Sequence, residues 1–257
     1  MNLSLTILGT ASAMPVSDRN PSAQVLAVHG RLFLIDCAEG TQQKFRQAKL
    51  SFLKVRAILI SHIHGDHVFG LFGMLNTMAM LGRTEPLDIF GPASLEGLLN
   101  FYRNWFSDGD DYTIGFHPLK GRDAEKIYED KNISISAFPL NHKIECYGYR
   151  FGDSYAYCSD TAAFPEESSY VAGVHTLYHE GTYNRELADK AASRYHSTTI
   201  DAANCARDAG VKRLILGHYS KRIHDFDSYI AEAREIFPES YAAQDGDVLE
   251  IPYLSGR

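Results

Sequence analysis

Apolar and polar residues alternate at the start of this chain, where Leu3, Leu5 and Ile7 mark one face of a strand over residues 1–8. Val25-Leu26-Ala27-Val28 and Leu32-Phe33-Leu34-Ile35 then enclose His29-Gly30 as two strands enclose a hairpin turn. Thr41 to Leu50 reads as a helix, and Val55 to Ile60 as a short buried strand. Val68 to Leu81 predicts a helix whose apolar face (Leu71, Phe72, Met74, Leu75, Met78) belongs to a core. Leu87 to Phe90 predicts a strand closed by Gly91-Pro92, and Leu95 to Phe106 a helix carrying the only tryptophan, Trp105. Asp108-Gly109-Asp110-Asp111 reads as a solvated loop, since it lacks the spacing and distal Glu of a calcium loop. Farther on, Ile133, Ile135 and Ala137 alternate with Ser134 and Ser136 in a strand that runs into Pro139 and His142. Tyr155 to Ser159 is a further short strand, ending at Asp160. Thr199 to Ala209 predicts a helix, with Ser197 or Thr198 as its cap and Gly210 as its stop.

Composition adds bounds to this pattern. A chain of 257 residues, 45% hydrophobic and 22% charged, suits one α/β domain with a sizeable core. No apolar run reaches the roughly 20 residues of a membrane span, and the first residues lack a basic region and cleavage site, so a cytoplasmic protein is expected. Cys37, Cys146, Cys158 and Cys205 are widely spread and read as reduced thiols, mostly small core residues. The net charge of −7 sits awkwardly with a nucleic-acid substrate. Lys212, Arg213, Lys221 and Arg222 flank the segment around His218, and Lys143 and Arg150 flank His142. The sequence leaves open whether these form a basic patch or scattered solvated charges.

The chemistry gathers in Ser61-His62-Ile63-His64-Gly65-Asp66-His67, where the buried strand stops and the chain turns. Imidazole nitrogen and carboxylate oxygen are ordinary ligands of a hydrolytic zinc-type centre. His62 and His64, two apart, can converge on one ion; Asp66 and His67, adjacent, suit a second, and Gly65 permits the bend between the pairs. A single ion leaves Asp66 and His67 without work, so two ions are expected. Four ligand-type residues at this spacing argue against a histidine-rich surface turn.

This H-x-H-x-D-H run resembles the signature of the metallo-β-lactamase fold superfamily. Much of the chain is similar to one branch of it, the tRNA 3′-processing endoribonucleases (RNase Z). The likeness covers Leu8 to Ala11 with Arg19-Asn20, Leu34 to Gln42, Ile60 to Gly70, Ile89 to Pro92 and Tyr157 to Thr161. It continues through His179-Glu180-Gly181-Thr182, His196-Ser197-Thr198 and Leu216 to Ser220. The resemblance implies an α/β fold: a four-layer αββα sandwich, two mixed sheets with outer helices, in a single domain over 1–257. Val211 to His218 also lines up with Val55 to His62, which suggests two similar halves facing each other, each delivering a strand-end histidine to a shared cleft.

His142 follows a strand end as His62 does and is read as the third histidine of the first ion; His218 joins Asp66 and His67 on the second, with Asp160 between the ions. The cofactor expected is two Zn²⁺, with Mn²⁺ the alternative. Asp66 is also expected to orient the attacking water. The resemblance further implies that His196 serves as proton donor or phosphate contact, with Glu180 positioning it, and that Ser220 and Arg222 contact phosphate. Asp36 reads either as a helix cap or, as in the family, as the support of a ligand histidine. His29, His117, His175, His179 and His224 have no matching role, and most of them read as turn or surface residues.

Two departures stand out. Gly181 occupies a position where the family commonly has Ala. Between Arg150 and Tyr155 only four residues, Phe151 to Ser154, stand where bacterial RNase Z proteins carry a long arm that grips the tRNA elbow. Either the arm is absent, or its residues lie outside this sequence. The resemblance implies a zinc-dependent hydrolase that removes 3′ trailers from precursor tRNA as a homodimer. The alternatives are a small-molecule phosphodiesterase or other metallo-hydrolase on the same fold, or a non-catalytic RNA-binding or scaffold protein.

Overall fold

The computed structural model describes residues 2–107 and 111–254; Asp108 to Asp110 of the expected acidic loop lie outside them. The first sheet takes β1 (Asn2–Gly9), β2 (Ala23–Val28), β3 (Arg31–Ile35), β4 (Val55–Leu59), β5 (Leu87–Pro92) and β6 (Ile114–Leu119). The second takes β7 (Glu125–Glu129), β8 (Ser134–Pro139), β9 (Tyr147–Phe151), β10 (Tyr155–Cys158), β11 (Thr176–Glu180), β12 (Arg213–Gly217) and β13 (Ser240–Ala242). The chain then returns to the edge of the first sheet as β14 (Val248–Pro252).

Among the described residues each sheet has seven strands, in the orders β14-β1-β2-β3-β4-β5-β6 and β7-β8-β9-β10-β11-β12-β13. In both, three antiparallel pairings are followed by three parallel ones. Inward residues such as Leu3, Leu5, Phe33, Tyr149, Tyr155 and Ile215 interlock in a core between the sheets. Helices α1 (Thr41–Gln47), α2 (Gly65–Val68), α3 (Leu71–Met80) and α4 (Leu95–Trp105) follow the parallel strands of the first sheet, and α1, α3 and α4 close a second core against it. Helices α5 (Glu167–Tyr170), α6 (Ala188–Ser193), α7 (Thr199–Asp208) and α8 (Phe226–Arg234) accompany the second sheet, where α7 and α8 pack on a third core. The expected four-layer αββα sandwich is therefore the architecture.

The expected repeat takes a different form. β4 and β12 do deliver His62 and His218, but β4 is fifth in its sheet and β12 sixth; the strand in the place of β4 is β11. The likeness of the two octapeptides reflects a shared task, a buried parallel strand ending at a cleft, rather than equivalent places in the two sheets. One expected helix is also broken. Val68 to Leu81 divides at Phe69-Gly70, where the Gly70 N–H donates to the Cys37 carbonyl (2.9 Å) and a Cβ on Gly70 would stand 2.0 Å from the Ala38 carbonyl oxygen. That close approach ties the metal-type turn to the chain after β3.

Candidate metal centre

Ligands in parallel strands bind beyond the carboxyl ends, and there this chain collects its chemistry. His62, His64, His142 and Asp160 have ligand atoms within 4.8 Å of one another, and so do Asp66, His67 and His218. Asp160 also stands with Glu180, His196 and His218 in a third such group. The seven residues singled out as metal ligands meet in one place, reached from the ends of β4, β8, β10 and β12.

Hydrogen bonds around the rim fix which nitrogen each ring presents. His67 Nδ1–H donates to Asp36 Oδ2 (2.8 Å) and His142 Nδ1–H to the Tyr195 carbonyl (2.9 Å). His218 Nδ1–H donates to Thr182 Oγ1 (2.9 Å), whose own proton goes to Glu180 Oε2 (2.6 Å). His62 Nδ1–H donates to Ser61 Oγ (3.0 Å), which donates in turn to Asp36 Oδ2 (2.9 Å). The inner nitrogens then face one another: His62 Nε2 to His64 Nδ1 at 3.0 Å, His142 Nε2 to His64 Nδ1 at 3.2 Å, and His67 Nε2 to His218 Nε2 at 3.3 Å.

Asp160 Oδ1 is buried without a hydrogen-bond partner, 3.2 Å from His67 Nε2 and 3.1 Å from His218 Nε2. Lone pairs converging on an orphaned carboxylate oxygen suit divalent cations, and the outer bonds are those that orient ligand imidazoles. Burial, with the neighbouring rings, holds His62 well below the usual histidine range, and burial lowers His64 and His142. Neutral imidazole is the form a metal needs. At His67 burial works the same way, but Asp160, Asp36 and Asp66 outweigh it and push the ring up, the pull of three carboxylates on positive charge that a bound cation would answer. Burial also opposes the charge on Asp66 and Asp160, yet the surrounding imidazoles keep both carboxyls below their usual range.

Asp36 supports the site and caps no helix. Fully buried with φ 54°, it accepts from Ser61 N–H, Ser61 Oγ, His67 and the Tyr157 hydroxyl, while Gly40 occupies the N-cap of α1. Two supports were missed in the sequence. Thr182, quoted there only as part of a motif, joins Glu180 to His218. Ala13, at φ 63°, donates its N–H to Asp66 Oδ2 at 2.6 Å. The polar loop after β1 carried no signal of that contact.

Glu180 is fully buried, accepting from Thr161 N–H (2.8 Å) and from His196 Nδ1 (2.8 Å). Burial disfavours the charged ring of His196, but Glu180, with Asp160 and Asp66 behind it, pushes it up to about 9. His196 lines a cleft of 670 Å³ together with His64, Asp66, His142 and Asp160. The basic residues of that cleft are Lys143, Lys190, Arg194 and Arg222. A patch does form, but Arg150 is turned to the Gly152, Tyr170 and Ala172 carbonyls, and Lys212 and Arg213 sit at the far end of β12. Ser220 lies buried beneath the turn, its Oγ accepting the Arg222 N–H at 3.4 Å, and does not line the cleft.

One histidine departs from expectation. His179 is not a turn or surface residue but fully buried in β11, with Nδ1 on the Glu180 carbonyl (2.6 Å) and Nε2 on Glu167 Oε1 (2.9 Å). Glu167 and Cys205 outweigh burial and hold the ring charged, so both nitrogens donate. That imidazolium accounts for the group Cys158, Glu167 and His179, whose ligand atoms also cluster. Gly181 has a local reason as well: a Cβ there would stand 2.2 Å from the hydroxyl of Tyr229, which donates to the Gly181 carbonyl.

A family model described as "Anti-Pycsar protein Apyc1" matches residues 3–237. Ribonuclease Z of Bacteroides fragilis is 33% identical over 293 positions, covering 94% of this chain and 96% of the relative. Human tRNase Z, short form, superposes with a TM-score of 0.85 at 27% identity, over 97% of this chain and 99% of that one. The metallo-β-lactamase fold protein YhfI of Bacillus subtilis has a TM-score of 0.83 over 97% of this chain and all of its own, and at 20% identity shows the fold alone. Since 94% of 257 residues is about 242, about 51 of the 293 positions shared with the Bacteroides relative have no counterpart here.

Proposed function

This chain belongs to the ribonuclease Z family, and to the family described as Anti-Pycsar protein Apyc1, on the metallo-β-lactamase fold; from that premise we propose that it cleaves the 3′ trailer from precursor tRNA as a dinuclear metal-dependent endoribonuclease. The observation that carries this reading is a pair of ligand groups, one containing Asp160 and the other with two imidazoles 3.1–3.2 Å from Asp160 Oδ1, beside the Glu180–His196 pair. His62, His64 and His142 would hold one ion and Asp66, His67 and His218 the other, with Asp160 reaching both. Zn²⁺ suits these nitrogen and oxygen donors, and Mn²⁺ is the alternative. Such ions would supply positive charge at the phosphodiester and acidify a water.

The chain's own residues supply the rest. Asp66, pinned by the Ala13 N–H, is placed to accept a hydrogen bond from the attacking water. As the water oxygen, its proton released to solvent, bonds to phosphorus, the bond to the ribose 3′-oxygen breaks. His196, charged through Glu180, gives that oxygen its proton. Arg222 contacts phosphate from the cleft wall, and Ser220 acts through the turn that carries it.

A homodimer fits an exposed aromatic face beside the metal-type turn. Phe101, Trp105 (73% exposed) and Phe106 group at the end of α4, Phe69 (75%) is exposed at the turn itself, and a second copy of the chain is the occupant of this face. Among the described residues no helix is long and apolar enough to cross a membrane, and a cytoplasmic location accords with a tRNA substrate.

A second reading has its own support. β9 and β10 are joined by Gly152-Asp153-Ser154 alone, with Ser154 N–H on the Phe151 carbonyl at 3.2 Å, where the family arm would emerge. With about 51 positions of the relative unmatched, a small phosphodiester is the competing substrate. Offering the metal-loaded protein a trailer-bearing precursor tRNA and a cyclic nucleotide separates the two. Cleavage of the precursor supports the first reading; hydrolysis of the cyclic nucleotide alone replaces it with the second.

A further inference from the structure

The cleft holds cationic and aromatic side chains that neither metal binding nor proton transfer uses. Lys190, Arg194, Tyr183 and Tyr195 come from the short stretch around α6, between Glu180 and His196. Charge accumulates here although the chain as a whole carries −7. Lys190 Nζ sits 5.7 Å from the Tyr183 ring centroid, and that ring is 6.1 Å from the ring of His196. Burial pushes the Tyr183 hydroxyl up, while Arg222 and Arg194 both lie near enough to oppose the shift. Lys190, Arg194, Arg222 and the Tyr183 phenol thus line one cleft with the candidate ligands His64, Asp66, His142 and Asp160.

Tyr195 is built differently. Its φ of 58° places it in the left-handed region, which side chains other than Gly, Asn and Asp seldom occupy. Its carbonyl accepts the Nδ1–H of His142 (2.9 Å), so its backbone is fixed by the same contact that orients a candidate ligand. The residue is 43% exposed and lines the cleft wall. A held backbone that carries an exposed aromatic residue is a platform for stacking.

We propose that Tyr183, Lys190, Arg194 and Tyr195 form a single-nucleotide subsite, which holds the nucleotide next to the scissile bond with its base on Tyr195 and its outer phosphate between Lys190 and Arg194. The assignment deepens the phosphodiesterase reading and rests on it. A cleft of 670 Å³ falls within the range of about 300–1,000 Å³ usual for ligand pockets. Stacking on a tyrosine face is tolerant of base identity, which suits trailers of differing sequence and small nucleotides alike.

Calorimetric titration of the metal-loaded protein with adenosine 5′-monophosphate and with ribose 5-phosphate tests the subsite. The nucleotide is expected to bind about tenfold tighter, the increment of one stacked base. Tyr195→Asn, a residue that tolerates the left-handed backbone, should erase the difference between the two ligands. Lys190→Ala combined with Arg194→Ala should weaken both about tenfold, whereas Lys212→Ala at the far end of β12 should change neither. Equal affinity for the two ligands in the wild type, or unchanged affinity in the Lys190/Arg194 variant, overturns the subsite. A protein that binds the nucleotide in this way but leaves precursor tRNA uncut would refute the trailer reading while the subsite stands.

Discussion

Single side chains decide what this cleft can do, and Asp66 is the most exposed to test. It is held by one backbone N–H and by the electrostatics of His67 and His218, and its loss removes no core packing. Asp66→Ala should abolish hydrolysis while the circular dichroism spectrum stays native; full turnover in that variant would remove Asp66 from the reaction. Gly181 tests packing beside it. An added methyl must displace the Tyr229 hydroxyl, so Gly181→Ala should cost about 1–3 kcal/mol by denaturant unfolding, as overpacking does. Adding Tyr229→Phe frees the space, and the double variant should recover at least half of that loss. Simple additivity would mean that Tyr229 is not the obstacle.

At the scale of elements, the sequence was legible wherever a local pattern settles a local structure. Thr198 caps α7 through a reciprocal bond with Asp201, and Gly210 stops it at φ 65°. Strand ends carrying His62, His142, Asp160 and His218 could be read for the same reason: an apolar run followed by a ligand-type residue has few other uses. Contacts between distant elements could not be read. Nothing local in the loop after β1 announces that Ala13 meets Asp66, and the apolar setting of His179 in β11 was the one sign of its burial. The turn between α6 and α7 makes its own prediction, because it places His196 on Glu180. In metal-stripped protein the His196 ring should titrate near 9 by NMR, and Glu180→Gln should return it to about 6.5 or below. The stabilisation from this raised pKa is complete below about 6.5 and is lost as pH rises through about 9. A wild-type ring that titrates at its ordinary value contradicts the pairing.

For the molecule as a whole, two sheets with the same run of pairings meet at one cleft, and the parts that vary lie around it. A tight turn joins β9 to β10, and the α6 region lines the cleft with the cations Lys190 and Arg194. The face of α4 that carries Phe101 and Trp105 is exposed. If a second copy covers it, Phe101→Asp with Trp105→Asp should convert a particle of twice the chain mass into one of single mass in analytical ultracentrifugation. A wild type that sediments at single mass at micromolar concentration would assign the face to something else.

The most direct measurement is end-mapping of a precursor tRNA after incubation with metal-loaded protein. One cut at the base of the trailer is predicted, leaving a 3′-hydroxyl on the tRNA and a 5′-phosphate on the trailer, and the cut should vanish with chelator or in Asp66→Ala. An intact precursor, in a preparation that carries two ions per chain and hydrolyses a small phosphodiester, would contradict the account.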